Sequence, residues 1–340
     1  MKVLTPAKVG AMLGALLLIL FAAALVGLGV GPSALSPREI AAALFGGDAS
    51  AATADIVLRV RLPRVLLAGL VGASLAVSGV LFQALLRNPL ADPYVLGVSG
   101  GAALGGIAAL SLGGAFGLGY TAVPPAAFAG AVATTFLLYA IAGAGGRVSA
   151  TNLLLTGVVF NAFASAAIVF MASLAGLSEG ASIYLWLIGS LSATRIDVAG
   201  WVALFLVAGL ASALPMARSL NLLALGEEGA AQLGVEVERV KRVLLVATSL
   251  MVGAAVSVAG LIGFVGLIIP HLLRLLLGSD HRLLVPAAAL GGGAFLVLCD
   301  TIARSLLAGR ELPVGAITAI AGGPLFLWLL RRHHLRSVTA

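Results

Sequence analysis

The chain is predicted to be an all-α polytopic membrane protein of about ten transmembrane helices, some short or broken, with an inverted internal repeat. Three observations predict it. Of 340 residues, 61% are hydrophobic and only 10% are charged, whereas a soluble domain carries about 25% charged residues and could not cover its surface with so few. Apolar runs recur from end to end at the length of a membrane span, about 20 residues at 1.5 Å rise each. A ten-residue pattern at the second run returns at the seventh. The 44 glycines suit helices packed closely in lipid, where small residues let backbones approach. The single cysteine, Cys299, excludes a disulfide framework and a Cys-based metal site.

The first run, Val9 to Val30, follows Lys2 and Lys8. It exceeds the 7–15 residues usual for a signal-peptide core, so it reads as an uncleaved first span. Ser36-Pro37-Arg38-Glu39 is a capping box with proline at the first helical position, starting a short non-spanning helix to about Phe45. A polar stretch, Gly46 to Asp55, leads to the second span near Val65–Leu85. Further spans are expected at Tyr94–Leu112, Ala122–Ala142, Asn152–Leu174, Val198–Met216, Val243–Leu261, Ile262–Leu277, Leu283–Cys299 and Pro313–Leu330. Val243 to Leu273 carries no charge over 31 residues, about 47 Å of helix, too long for one upright span and too short for two. Gly260, Gly263, Gly266 and Pro270 mark where it should break, and such breaks are tolerated only within protein or around a water-filled cavity.

Lys and Arg in short loops set the orientation. With the N-terminus inside, the inner side holds Arg87, Arg147, Arg218, Arg239, Lys241, Arg242, Arg274 and Arg282, with Arg331, Arg332 and Arg336 in the tail. Both termini are therefore expected in the cytoplasm. The outer side holds seven arginines: Arg38, Arg59, Arg61, Arg64, Arg195, Arg304 and Arg310. That number is anomalous under the rule, and a negatively charged partner outside would account for it. The net charge of +7 does not point to nucleic acid, because the basic residues are scattered between apolar runs and form no stripe.

Val71-Gly-Ala-Ser-Leu-Ala-Val-Ser-Gly-Val80 recurs as Val252-Gly-Ala-Ala-Val-Ser-Val-Ala-Gly-Leu261, with five identities in ten. Each copy is preceded by Arg-Val-Leu-Leu, at Arg64–Leu67 and Arg242–Leu245. The copies start spans two and seven and so cross the membrane in opposite directions. Inverted repeats of this kind characterise transporters.

The chain has no Gly-x-x-x-x-Gly-Lys-[Ser/Thr] loop, so it does not hydrolyse ATP by that route. His271, His281, His333 and His334 show no metal-ligand spacing, and no catalytic residue or metal site is expected. Asp300, four residues before Arg304, reads as an i,i+4 partner at a helix end rather than a proton relay. Gly226-Glu-Glu-Gly-Ala-Ala-Gln-Leu-Gly-Val235 predicts a short helix at the inner surface. Glu227 and Glu228 suit its positive N-terminus, and Gly234 the left-handed position past its end. An acidic cytoplasmic helix of small residues is a good docking knob.

Several motifs together resemble one family. They are Arg61-Leu-Pro-Arg64, Asn88-Pro-Leu-Ala-Asp-Pro93 with Gly97-Val-Ser, Ala224-Leu-Gly-Glu-Glu228 with Gln232-Leu-Gly234, Gly263 to Arg274, Asp280-His-Arg282, and Glu311-Leu-Pro-Val-Gly315. In that order they resemble the permease subunits of type II ATP-binding-cassette importers, which take up cobalamin, haem and ferric siderophores. The resemblance implies a single permease domain over 1–340, with repeat halves at about 60–175 and 238–330 and a cytoplasmic coupling segment at about 218–241. It implies a bacterial inner-membrane homodimer with one pathway on its two-fold axis. Two cytoplasmic ATPase subunits would carry the ATP and Mg, this chain binding no cofactor, and a periplasmic binding protein would deliver the substrate. By the resemblance Arg61, Arg64 and Arg304 dock that protein, Asn88 and Leu90 form a cytoplasmic gate, and Gly226, Glu227, Glu228, Ala230 and Gly234 meet the ATPase. Thr156 and Asn161 on the fifth span are the polar pathway residues. Among substrates, haem is favoured over siderophore and cobalamin.

Two other classes compete. A secondary transporter driven by an ion gradient would also use an inverted repeat, but it calls for intramembrane acids, which are scarce here. An intramembrane enzyme would need a nucleophile–base pair that the sequence does not offer.

Overall fold

The computed structural model describes residues 5–31, 33–94, 96–113, 120–143, 149–174, 177–191, 196–307 and 311–338. Arg147, Arg195 and Arg310, and the side chains of Arg331, Arg332, His333, His334 and Arg336, lie outside the described residues. Every regular element among the described residues is helical.

Helix α1 (Pro6–Gly29) starts on a Thr5 cap, and α2 (Pro37–Phe45) opens on the expected capping box. There Ser36 N donates to Glu39 Oε2 at 2.8 Å, and Glu39 N donates to Ser36 Oγ at 3.3 Å. Helix α3 (Ala51–Asp55) runs through one π-helical turn, Ile56–Arg61, into α4 (Leu62–Leu85). The result is a continuous helix of 35 residues, Ala51–Leu85. The second span therefore extends well beyond Val65 at its N-terminal end. Ser50 caps the extension through Thr53 N at 3.1 Å, and the residues read as a polar connection up to Asp55 merge into it.

The chain continues as α5 (Val98–Gly113), α6 (Val123–Ala142), α7 (Ala150–Leu174), α8 (Leu177–Leu187), α9 (Ile196–Ala213) and α10 (Ala217–Leu223). It closes with α11 (Glu227–Gln232), α12 (Val237–Ala259), α13 (Val265–Leu277), α14 (His281–Ser305) and α15 (Val314–Val338). Each expected span meets a helix: α1, α4, α5, α6, α7, α9, α12, α13, α14 and α15. Among the described residues seven helices are long and apolar enough to cross a membrane, while Val98–Ser111, Val265–Leu277 and Val314–Leu327 are shorter apolar helices. Helix α8 was not expected. At 11 residues it falls below spanning length, yet Ile183 and Trp186 are buried, so it seals the α5 side of the bundle.

The long uncharged stretch breaks where the glycines predicted, between Ala259 and Val265. Gly260 and Gly263 lie in the break, whereas Gly266 and Pro270 lie inside α13. Pro270 has no N–H to give the Gly266 carbonyl. Gln83 of α4 donates instead, its Nε2 lying 3.4 Å from the oxygens of both Gly266 and Leu267. A side chain from a neighbouring helix thus satisfies backbone that lipid could not.

Helix α4 is the axis of the core, buried almost continuously from Val65 to Leu86. It packs along α14, and α12 packs along α6. These pairings correspond under the repeat, since spans two and nine become seven and four when the halves are exchanged. The details correspond too. A Cβ on Gly72 would meet Gly292 of α14, and one on its counterpart Gly253 would meet Ala131 of α6. Arg64 reaches Asp300 of α14 at one end of the bundle, and Arg242 reaches Tyr139 Oη of α6, at 3.1 Å, at the other.

Candidate functional site

Three regions hold the residues singled out in the sequence. At one end of the bundle, Arg61, Arg64 and Arg304 come together, but none stands free. They are 3%, 6% and 5% exposed. Arg64 Nε donates to both oxygens of Asp300 at 3.0 Å, and its Nη1 donates to those of Glu311 at 3.0 and 2.9 Å. Arg304 reaches Asp300 at 3.7 Å and donates to the Gly27 carbonyl. Arg61 Nη1 donates to the carbonyls of Leu28 at 2.6 Å and Gly29 at 2.9 Å, and its Nη2 to the Ser33 carbonyl.

The three arginines that the resemblance assigns to docking are thus buried, with their guanidiniums engaged inside the bundle. A helix end carries carbonyls without partners, and the end of α1 takes its donors from Arg61 and Arg304. The Asp300–Arg304 pair exists at the predicted spacing, but the closer partner of Asp300 is Arg64, on another helix. What reaches the surface here is Glu311, with a side chain 48% exposed, and Arg59, 81% exposed and paired with Asp55 at 3.1 Å. The π turn separates Arg59 from Arg61, sending one out and the other in.

At the opposite end of the bundle, α4 stops in a Schellman motif. Asn88 N donates to Gln83 O at 3.1 Å, and Arg87 N to Ala84 O at 3.2 Å. Arg87 occupies the left-handed position at φ 48°, where a side chain is disfavoured by about 1–2 kcal/mol. The same motif ends α11, with Val235 N on Ala230 O and Gly234 N on Ala231 O, both at 3.0 Å. There the left-handed residue is the expected glycine, at φ 84°.

Asn88 and Leu90, which the resemblance assigns to a gate, follow directly. Asn88 Oδ1 accepts from Leu90 N at 2.9 Å, a local turn that leaves the Leu90 side chain exposed. Asp92 is buried and accepts from Tyr94 N at 2.8 Å. Burial pushes its carboxyl up to about 6. A folded-state value above the unfolded value of about 3.9 means that the folded protein holds the proton longer as pH rises. The stability that this proton confers is present below about pH 4 and lost as pH rises through 6. Asp92→Asn keeps the acceptor and removes the titration. Relative to wild type, its thermal midpoint in detergent should climb between pH 4.5 and 6.5 and level off above pH 7. Parallel curves for the two proteins would refute the assignment.

Of the five residues that the resemblance assigns to the ATPase contact, Gly226, Glu227 and Glu228 line an open cleft of 1110 Å³ together with Arg87, Ser149, Thr151, Glu238 and Arg239, among others. The five divide by face. Glu228 and Gly234 are exposed, Gly226 and Glu227 are half-buried, and Ala230 is fully buried. Ala230 therefore packs α11 onto the bundle and is not available to a partner. Glu227 faces inward as well, bridging to Lys241 of α12 at 2.5 Å and to Arg87 at 4.0 Å. Sequence reasoning missed Leu225 and Leu233, large apolar side chains that flank α11 and stand 75% and 62% exposed. Their place beside an acidic surface helix was the signal. Beneath this region Asp280 joins Arg282 and Asn221, and those hydrogen bonds hold its carboxyl well below the usual range.

Of the two pathway residues, Asn161 lines a cavity of 540 Å³ between α5 and α7, with Tyr94, Ser99 and Ser165 as further polar members of its wall. Its Nδ2 donates to Tyr94 O at 2.6 Å. Thr156 is half-buried and donates back to Asn152 O at 2.7 Å, one turn away from that wall. Among the described residues no group of three or more His, Cys, Asp or Glu could hold a metal ion.

Comparison with known proteins places this arrangement in context. Residues 16–332 match the FecCD transport family. The chain is 46% identical over 287 residues to the cobalamin import system permease protein BtuC of Halobacterium salinarum, covering 84% of this chain and 76% of that one. It is 42% identical over 341 residues to the hemin transport system permease protein HmuU of Yersinia pestis, covering 96% and 97% of the two. A solved structure of a metal-chelate type ABC transporter in an inward-facing conformation superposes with a TM-score of 0.83 at 31% identity, covering 95% of this chain and 99% of that one.

Proposed function

The chain belongs to the FecCD transport family, and from that premise we propose that it is the membrane-spanning subunit of an ATP-driven importer carrying haem from periplasm to cytoplasm. Ferric siderophore and cobalamin are the other chelates of the class. The observation that carries this reading is the inner end of the bundle. An acidic short helix flanked by exposed Leu225 and Leu233 borders an open cleft, in a chain with no ATP-binding loop of its own.

In this reading Glu228, Gly234 and the two leucines seat a cytoplasmic ATPase that carries ATP and Mg. The chain pairs with a second copy, and the substrate passes on the two-fold axis between them. Both termini face the cytoplasm of a bacterial inner membrane. The repeat halves at about 60–175 and 238–330 are the two arms of the subunit, and the segment at about 218–241 couples them to the ATPase. A periplasmic binding protein docks on the outer face around Glu311 and Arg59, with Arg61, Arg64 and Arg304 bracing that face from below. Asn88 and Leu90 close the cytoplasmic end. The wall around Asn161 has hydroxyl and amide groups but no charge, which suits a ligand with broad apolar faces. The likeness to the hemin permease over nearly the whole of both chains supports haem.

The test is reconstitution in proteoliposomes with the cognate ATPase and binding protein, offering hemin, cyanocobalamin and a ferric hydroxamate siderophore separately. Hemin should accumulate with ATP and not with a proton or sodium gradient alone. Accumulation of another chelate would change the substrate, and uptake without the ATPase would overturn the reading. Glu228→Arg should lower ATP-driven uptake at least tenfold, as expected of a reversed charge at a partner contact.

A further inference from the structure

Arg87 sits where the backbone wants glycine. The hydrogen bonds that end α4 are those that end α11, yet α11 has Gly234 at the left-handed position and α4 has an arginine. A side chain kept at a strained position points to a use for that side chain. The guanidinium of Arg87 lies over the start of α11. Its Nη2 is 4.0 Å from Glu227 Oε1, and its Nη1 would be 3.8 Å from a Cβ on Gly226. The other carboxylate oxygen of Glu227 is held at 2.5 Å by Lys241, which is buried on α12. One carboxylate thus ties three segments: α11, the root of α12, and the residue immediately before Asn88.

We propose that Arg87, Glu227 and Lys241 form the strut that transmits movement of α11 to the Asn88–Asp92 loop. The proposal rests on the importer reading and names the positioning residues within it. Lys241 fixes Glu227 to the bundle through α12, so a displacement of α11 is delivered to Arg87 and not dissipated in solvent. Because Arg87 is the last residue of the α4 cap, moving its side chain moves the turn that Asn88 and Leu90 form next. A partner seated on exposed Glu228, Leu225 and Leu233 would therefore act on the loop without touching it.

Strain separates this role from a merely structural one. Arg87→Gly relieves the left-handed residue, so a purely structural arginine would give a variant at least as stable and as active as wild type. In proteoliposomes holding the complete complex, supplied with hemin or with cyanocobalamin, we expect Arg87→Gly to hold or raise the thermal midpoint of the purified permease. Chelate accumulated per ATP hydrolysed should nevertheless fall about tenfold. Glu227→Gln should fall similarly, the double variant no further than either single one, and Arg87→Lys should recover most of the loss. A wild-type ratio in Arg87→Gly, or independent multiplication of the two single effects, would overturn the strut. Absence of ATP-driven uptake in wild type would instead overturn the importer reading.

Discussion

Asp300→Ala is expected to destabilise the protein by about 3–5 kcal/mol, the loss typical when one partner of a buried ion pair is removed. The carboxylate is 1% exposed and faces two guanidiniums, Arg64 at 2.9 Å and Arg304 at 3.7 Å. Without it, two positive charges remain inside the contact between α4 and α14. Glu311 offsets little of this, because it binds Arg64 from a half-exposed position, where such pairs contribute about 0–1 kcal/mol. Glu311→Gln should accordingly shift the unfolding midpoint only slightly. The pair Arg64→Met with Asp300→Leu should recover only part of the stability lost in Asp300→Ala, since apolar replacement of a buried ion pair is often close to neutral but Arg304 still loses its carboxylate. Thermal unfolding of the four proteins in one detergent decides it. Equal midpoints for Asp300→Ala and Glu311→Gln would show that the buried charge of Asp300 does not hold α4 and α14 together.

The second large effect is expected from one methyl group. A Cβ on Gly79 would lie 1.8 Å from the Gly266 carbonyl oxygen and 2.7 Å from its Cα, so α4 and α13 are in backbone contact there. No side chain can rotate away, and the helices must separate along their crossing. Gly79→Ala should destabilise by at least the 1–3 kcal/mol typical of overpacking and should also weaken the Gln83 bonds that support Pro270. Gly69→Ala is the control on the same helix, its nearest atom being Val297 Cγ2 at 3.9 Å. That change should be neutral or stabilising by up to about 1 kcal/mol, since alanine is the better helix former. Midpoints for the two variants falling on the same side of wild type would contradict the crossing geometry.

Much of the architecture was legible because it depends on local chemistry. Run length located the spans, Ser36 and Glu39 located the start of α2, and Gly234 located the end of α11. The break after Ala259 followed from glycines within an uncharged stretch too long for one span. Partner choice was not legible, because it is settled between distant segments. The positive-inside rule counts arginines near a membrane surface but does not say whether each guanidinium faces water. Arg61 and Arg64 carry the same charge as Arg59, and the π turn with packing against α1 and α14 turns them inward. The same holds on α11, where the family resemblance marked five residues as one docking surface. The fold divides them, burying Ala230, turning Glu227 toward Lys241 and leaving Glu228 outside. Helix α8 escaped because length was the criterion and its 11 residues do not meet it.

The ion cluster around Asp300 also sets a schedule for biosynthesis. Arg64 enters the membrane early in translation, but Asp300 lies 236 residues later, Glu311 lies 247 later, and the bond from Arg304 to α1 spans 277 residues. At about 5–20 residues per second, a ribosome needs on the order of 10–50 s to supply those acids after Arg64 emerges. Through that interval the arginine has no partner from α14, and a lone arginine deep in a bilayer costs roughly 2.5–3.5 kcal/mol. The nascent helix must keep it at the headgroups, or a membrane chaperone must shield it. That end of the bundle therefore locks only when the chain is nearly complete. A product ending before residue 300 would carry an unmatched charge by which quality control could recognise it.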